Sequence, residues 1–183
     1  MPDRSARMNY ADIKQYDIAN GPGVRVSLFV SGCTHHCKNC FNKEAWDFSY
    51  GKPFTTETQE ELLSYLDKPY VRGLTLLGGE PFERENQEAL LPFLRRVKER
   101  LPDKDVWAFS GYDFEKDITG YMYREWGPTK ELLSMIDVLV DGEFIEEQKS
   151  LNLRFKGSAN QRTILVQESL AAGKLVLYDL TVE

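Results

Sequence analysis

The chain has 183 residues, of which 42% are hydrophobic and 28% charged, and its formal net charge is −6. These proportions are typical of one globular domain and exclude a wholly disordered chain. An acidic chain without basic runs is a poor binder of nucleic acid and of anionic membranes, and no apolar stretch approaches the length of a membrane span. The amino-terminal residues lack the apolar segment of a signal peptide, so we expect a cytoplasmic protein.

Six apolar runs have the length and composition of strands, at residues 24–30, 74–77, 106–109, 136–140, 163–166 and 175–178. Three helices are predicted between them. The capping-box pair Thr56 and Gln59 marks the start of the first, and the third follows Pro128. The second is predicted from apolar residues at helical spacing, namely Leu90, Leu94, Val97 and Leu101. The aromatic segment 113–127 gives no clear prediction.

Alternating strands and helices favour a parallel sheet with right-handed crossovers, in which functional sites lie at the carboxyl ends of the strands. Polar motifs follow the first four strands at this position: S-G-C-T-H-H-C, G-G-E-P, S-G-Y and D-G-E-F. The chain is too short for eight strand–helix units. We therefore predict an α/β fold of one domain, residues 1–183, built as a partial, open (β/α) barrel with its active site at this rim.

The cysteines point to a metal. Cys33, Cys37 and Cys40 lie within one short loop, and an odd number of cysteines so spaced argues against a disulfide framework. A cubane [4Fe–4S] cluster held by three thiolates keeps one iron open for a small molecule. The alternative is a structural zinc site in which His35 or His36 supplies the fourth ligand. Colour distinguishes the two, because an iron–sulfur protein is brown and a zinc protein is colourless.

The C-x3-C-x2-C motif after one strand and G-G-E-P after the next resemble the radical S-adenosylmethionine superfamily. Further motifs resemble the anaerobic ribonucleoside-triphosphate reductase activating proteins within it. These motifs are N-G-P-G-V-R at 20–25, S-G-Y at 110–112, V-D-G at 140–142 and R-F-K-G-S-A-N-Q-R at 154–162. The resemblance runs from Met8 to about Arg162, so residues 1–7 are expected to be an extension.

The resemblance implies an enzyme in which Cys33, Cys37 and Cys40 bind a [4Fe–4S] cluster and S-adenosyl-L-methionine chelates the open iron. Reductive cleavage of that cofactor gives a 5′-deoxyadenosyl radical, which generates a glycyl radical on the large subunit of an anaerobic ribonucleotide reductase. A flavodoxin- or ferredoxin-like protein is the expected electron donor. The implied cofactor-binding residues are Gly78, Gly79, Glu80, Ser110 and Asp141, with the Glu80 carboxylate near the cofactor's ammonium.

Three other functions stay open at this point. The chain could activate another glycyl-radical enzyme, of the pyruvate formate-lyase type, act on a free metabolite, or be a zinc module that only mediates assembly. Three positions differ from related sequences. Glu80 stands where some relatives have aspartate, which keeps the carboxylate. Asn39 stands where many superfamily members have an aromatic residue, and Glu143 stands where related activases often have a basic one. We therefore do not expect Glu143 to bind the cofactor directly.

Overall fold

The computed structural model describes residues 8–182, so the predicted extension at 1–7 lies outside the described part. The fold is α/β, as predicted, with an open sheet of seven strands in the order β3-β1-β2-β4-β5-β6-β7. The strands are β1 (Asn9–Asp17), β2 (Val24–Val30), β3 (Lys52–Pro53), β4 (Val71–Gly78), β5 (Asp105–Phe109), β6 (Val138–Asp141) and β7 (Arg162–Leu165).

The parallel arrangement predicted for the sheet holds only in its centre. Strands β2, β4, β5 and β6 are parallel neighbours, whereas β1 and β3 at one edge and β7 at the other are antiparallel. Only residues 18–23 separate β1 from β2, and so short a connection makes a hairpin rather than a crossover. The predicted strand at 175–178 is wrong, because this segment makes one isolated bridge, between Leu177 and Ile164.

Helices pack on the sheet largely where the sequence predicts them. The α- and π-helices are α1 (Thr56–Leu66), α2 (Arg84–Arg100), a π-helix (Phe114–Met122), α3 (Tyr123–Glu125), α4 (Thr129–Ser134) and α5 (Val166–Ala172). Short 3-10 helices lie at Lys43–Trp46, Glu146–Gln148 and Leu180–Val182. The cap of α1 is Thr55, whose side chain accepts from the Thr58 N–H, so the predicted capping pair is displaced by one residue. The aromatic segment without a prediction contains the π-helix and α3.

The core lies between the sheet and these helices. Leu90, Leu94 and Val97 of α2 are completely buried, as their spacing predicted, and Leu132 and Leu133 of α4 are buried with them. Burial of each such side chain stabilises the fold by about 1.5–3 kcal/mol. Within residues 8–182 the helices are too short or too polar to cross a membrane. This core fixes the four parallel strands so that their carboxyl ends meet along one edge.

The four polar motifs lie at that edge, as predicted. The cysteine motif follows β2, Gly79-Glu80-Pro81 follows β4, Ser110 follows β5, and Asp141 is the last residue of β6. Two backbone bonds tie neighbouring motifs together: the Gly79 N–H donates to the Val30 carbonyl at 2.7 Å, and the Ser110 N–H donates to Val140 at 2.9 Å. The parallel strands thus bring side chains from four distant parts of the chain into one place.

Candidate functional site

A cavity of about 410 Å³ opens at the carboxyl ends of the parallel strands. Its walls include residues from all four polar motifs and from two loops, residues 19–20 and 153–161. The predicted site residues among its lining are Cys33, Cys37, Cys40, Gly78, Gly79, Glu80 and Ser110. Its volume is in the range of small-molecule and cofactor sites.

The cysteine loop brings three free thiols to this cavity. Two backbone bonds fix where the loop begins: the Gly32 N–H donates to the Ala45 carbonyl at 2.7 Å, and the Cys33 N–H donates to Trp46 at 3.2 Å. His36 and Asn39 have φ of 53° and 56°, the left-handed conformation in which asparagine and histidine are the least disfavoured residues after glycine. The loop therefore turns sharply twice, which lets residues three and four apart face one space.

The surroundings of Cys33 and Cys37 favour the protonated form of these two thiols. Burial raises the pKa of Cys33 to about 12, and the carboxylates of Glu80 and Glu83 act in the same direction. Burial also raises the pKa of Cys37, with Glu143 contributing. A thiolate is stable here when a cation compensates its charge, and metal binding accordingly releases protons. The chemistry of these groups suits a metal centre better than a free nucleophile.

Glu80 is the most enclosed charged group of the cavity wall, with 1% of its surface exposed. Its carboxylate accepts hydrogen bonds from the Gly111 N–H at 2.7 Å, from the Phe82 N–H at 2.9 Å and from the Ser110 hydroxyl at 2.9 Å. The His35 Nε2 atom lies 2.8 Å from it. These contacts orient a buried carboxylate toward the cavity, where a cationic ligand group would be bound by a charge-assisted hydrogen bond.

Gly78 and Gly79 leave room that any side chain would fill. Gly78 has φ of +104°, and a Cβ there would lie 2.7 Å from the Val30 nitrogen. A Cβ on Gly79 would lie 2.7 Å from the Gly32 carbonyl oxygen, with two further carbonyl oxygens within 3.0 Å. The turn after β4 therefore packs backbone against the backbone of the cysteine loop, which requires glycine.

Each of the two histidine rings already contacts other side chains. His35 lies between two carboxylates, Glu80 at Nε2 and Glu143 at Nδ1, the latter at 3.2 Å. Burial disfavours the imidazolium, but these two carboxylates outweigh it and raise the pKa of His35 to about 8. His36 stacks on Trp46 with ring centroids 4.3 Å apart. Both ring nitrogens of His35 are thus engaged, which disfavours it as a fourth zinc ligand.

Asp141 differs from the other predicted site residues because it does not line the cavity. Its carboxylate accepts from the Arg162 guanidinium at 2.5 Å and from the Phe114 N–H at 2.8 Å. Arg162 also donates to Glu115 at 2.6 Å, and the hydrogen bonds that it donates to Asp141 and Glu115 raise the pKa of this guanidinium. The Asp141 carboxylate is therefore already paired with Arg162, and the residue that follows it, Gly142, lines the cavity.

Two residues that join the cysteine loop to α2 are not indicated by any sequence motif. Asn86 is completely buried, and its amide group donates to the carbonyls of Ser31 at 3.0 Å and Glu80 at 2.9 Å. Glu83 accepts from the backbone and the hydroxyl of Thr34. Both lie near the start of an amphipathic helix, where polar residues are ordinarily solvent-exposed, so no local pattern marks them.

The site fits an iron–sulfur cluster and a charged small ligand. The donor set is three cysteine thiols on one wall, and cysteine is the usual ligand of such clusters. Trp46 also lines the cavity, and its buried indole Nε1 has no acceptor within the described part of the chain. Buried donors are nearly always satisfied, so an acceptor from a bound group is expected there.

Comparison with known proteins agrees with this geometry. Residues 19–164 match the family model described as a 4Fe-4S single cluster domain. The relatives include proteins named anaerobic ribonucleoside-triphosphate reductase-activating protein from Vibrio cholerae and Escherichia coli. They are 43% and 35% identical over 84% of this chain and 96% of theirs. The protein of that name from Enterobacteria phage T4 is 42% identical over 85% of this chain and 92% of its own. The chain belongs to the family of anaerobic ribonucleoside-triphosphate reductase-activating proteins.

Proposed function

We propose that this protein activates an anaerobic ribonucleoside-triphosphate reductase by generating a glycyl radical on its large subunit. It is an enzyme of the radical S-adenosylmethionine type. The observation that carries the proposal is one cavity lined by three free thiols and the buried Glu80 carboxylate, in a chain whose relatives are named for this activation. A zinc module that only mediates assembly has no use for such a cavity.

Cys33, Cys37 and Cys40 hold a [4Fe–4S] cluster in this proposal. Three protein ligands on four irons keep one iron open for the amino and carboxylate groups of S-adenosylmethionine. Bound together, the reduced cluster and this cofactor would supply one-electron cleavage of a carbon–sulfur bond, with methionine and a 5′-deoxyadenosyl radical as the products. The protein positions these groups and keeps water away from them.

The turn after β4 holds the amino-acid end of the cofactor. Gly78 and Gly79 supply backbone that a ligand can approach closely, and Glu80 accepts a hydrogen bond from the ammonium. An incoming ammonium would share this carboxylate with His35. Ser110 orients Glu80 through its hydroxyl. Asp141 acts less directly, by holding the backbone at Gly142 through its pairing with Arg162.

The fold suits a protein substrate. We infer a partial (β/α) barrel of a single domain, whose open edges do not enclose the cavity completely. The 153–161 loop contains most of the R-F-K-G-S-A-N-Q-R motif. It borders the opening together with Ala19 and Asn20. A glycine-bearing loop of the reductase enters there. Transfer of its Cα hydrogen to the cofactor-derived radical would give 5′-deoxyadenosine and a glycyl radical that both flanking amides stabilise.

Further expectations accompany this function. The electron comes from a flavodoxin- or ferredoxin-like donor, because the cluster needs a one-electron reductant of low potential. Such a system works in the cytoplasm, where thiols stay reduced.

Electron paramagnetic resonance tests the function. The reconstituted, reduced protein is mixed with the reductase and S-adenosylmethionine, and we expect a glycyl radical signal on the reductase. A reductase whose radical-bearing glycine is changed to alanine, and a mixture without S-adenosylmethionine, are the controls and should give no such signal. A full radical signal without S-adenosylmethionine, or none at all with an intact cluster, would contradict the proposal.

A further inference from the structure

Glu83 lies at the start of α2 but does not cap it. It occupies the N-cap position, yet its side chain makes no capping hydrogen bond to the helix. Its carboxylate is directed to the cysteine loop instead. The Thr34 N–H donates to Oε1 at 2.8 Å, and the Thr34 hydroxyl donates to the same oxygen at 2.6 Å.

The burial of Glu83 depends on these contacts. Only 7% of its surface is exposed, and a buried carboxylate is costly unless donors compensate it. Burial raises the pKa of the nearby Tyr112 hydroxyl to about 12, and the charge of Glu83 acts in the same direction. The ring of Tyr112 in turn packs against His35, with centroids 4.3 Å apart. Glu83 is therefore bound to a small group of residues around the loop rather than to its own helix.

The residue that Glu83 holds is next to the first cysteine. The N–H that Glu83 accepts from belongs to the peptide bond that joins Cys33 to Thr34, so this contact restricts the backbone on the carboxyl side of Cys33. Fixing the Thr34 backbone therefore limits the directions in which the Cys33 sulfur can point. The charge of Glu83 also lies beside the first cysteine, since its Oε1 atom is 2.8 Å from the backbone nitrogen of the residue that follows Cys33.

We propose that Glu83 is a positioning residue for the cluster: through Thr34 it fixes the orientation of Cys33, and its negative charge makes the bound cluster harder to reduce. The inference rests on the cluster assignment of the proposed function. Cluster potentials respond to nearby charge and to the geometry of the sulfur ligands, so one carboxylate acts in both ways.

Four variants separate the two effects. Glu83→Ala removes the charge and both hydrogen bonds, whereas Glu83→Gln keeps an acceptor oxygen and removes only the charge. Thr34→Val removes the hydroxyl bond and leaves the backbone one. The control is Glu85→Ala, because Glu85 has the same charge in the first turn of α2 but is exposed.

The first measurement is iron release to a chelator from the anaerobic, reconstituted protein. Loss of a hydrogen bond to a charged group should favour opening of the cysteine loop by roughly ten- to a hundredfold. We expect iron release from Glu83→Ala to be faster by that order. We expect release from Thr34→Val to be intermediate, and that from Glu83→Gln and Glu85→Ala to be close to wild type.

The second measurement is the midpoint potential of the cluster, which a role only in folding would not change. Glu83→Gln should shift it to a more positive value, because a negative charge near the added electron is removed, and Glu85→Ala should not. In the metal-free protein, the Thr34 amide should exchange hydrogen at least about tenfold faster in Glu83→Ala, since it loses its acceptor.

The results distinguish a failure of this inference from a failure of the proposed function. If wild type and Glu85→Ala bind no cluster, both are wrong. If they bind one, and both Glu83 variants match them in iron release and potential, only the role of Glu83 is wrong. Should Glu83→Ala fail to fold, Glu83→Gln and Thr34→Val decide: an unchanged potential in the former together with unchanged release in the latter overturns the inference.

Discussion

Two buried polar networks lie at opposite ends of the same parallel strands, one around Arg25 and one around Glu80. Arg25 is completely buried near the start of β2, where its guanidinium contacts Asp105 at 2.5 Å and the Thr75 hydroxyl at 2.8 Å. Glu80 is buried to the same degree beyond the end of β4. Glu80 lines the cavity and Arg25 does not.

The contacts of the two networks explain the difference. Arg25 also donates to the carbonyls of Leu74 and Pro22, and its guanidinium lies 5.6 Å from the Trp107 ring centroid. Each of these groups belongs to the protein's interior. Glu80 has backbone and hydroxyl donors on one side and a cavity with three thiols on the other. Burial of a charged residue is therefore compatible with either structure or function, and access to a cavity distinguishes them.

The largest effect is expected from removing a cluster ligand. Replacing Cys40 by alanine should abolish a stable [4Fe–4S] cluster, because two thiolates do not hold a cubane. Iron and sulfide analysis after anaerobic reconstitution measures this. Lys38→Ala is the control, since Lys38 is an exposed residue of the same loop and should leave the iron content unchanged. A catalytically competent cluster in Cys40→Ala would show that the ligand assignment is wrong.

Arg25→Met should affect stability and leave the site's ligands in place. Breaking a buried ion pair costs about 3–5 kcal/mol, and we expect about 3 kcal/mol because Asp105 is 28% exposed. Urea unfolding of the metal-free protein measures the free energy of unfolding. Arg84→Met, at an exposed ion pair on α2, should change it by less than about 1 kcal/mol. Equal stability of the two variants would contradict the structural role of Arg25.

Glu80→Ala should have the opposite signature, with weaker cofactor binding and a retained cluster. Loss of a charge-assisted hydrogen bond costs about 1.5–3 kcal/mol, or roughly ten- to a hundredfold in affinity for S-adenosylmethionine. Calorimetry on the reconstituted protein gives this affinity, with Glu85→Ala as the matched control. Unchanged affinity in Glu80→Ala would make Glu80 a turn residue with no part in cofactor binding.

Gly79→Ala tests the close packing of the two loops. Its Cβ would meet three backbone carbonyl oxygens within 3.0 Å, and overpacking of this kind costs about 1–3 kcal/mol. Gly127→Ala is the control, because nothing lies within 4 Å of the Cβ that it would add. Thermal or urea unfolding compares the two proteins. If both are as stable as wild type, the backbone contact between the loops does not constrain residue 79.

The sequence predicts the placement of the four polar motifs better than it predicts the edges of the sheet. The apolar runs and the helical spacing predict a core of parallel strands. The structure has this core, and the four motifs lie at the carboxyl ends of its strands β2, β4, β5 and β6. Strand β1 was missed because most of its residues are exposed or half-buried and it lacks a continuous apolar run. Nor did any local pattern indicate that the 175–178 run makes one bridge instead of a strand.

Local sequence patterns do not predict the contacts that hold the site together. Thr34 and Glu83 are 49 residues apart, and Ser31 and Asn86 are 55 residues apart. Spacing rules describe neighbours within one helix turn or along one strand, so they do not reveal such pairs. The glycines and the proline of the N-G-P-G motif predict a turn. They do not predict the hydrogen bond that Arg25 donates to the Pro22 carbonyl, which only the structure shows.

The central claim is that the cavity at the carboxyl ends of the strands binds a three-cysteine [4Fe–4S] cluster together with S-adenosylmethionine. It is tested most directly by electron paramagnetic resonance of the reduced, reconstituted protein before and after S-adenosylmethionine is added, alongside iron and sulfide analysis. We predict four irons for each chain and a cluster spectrum that changes on addition, because the cofactor binds the open iron. A colourless zinc protein, or a cluster spectrum that does not respond to S-adenosylmethionine, would contradict the claim.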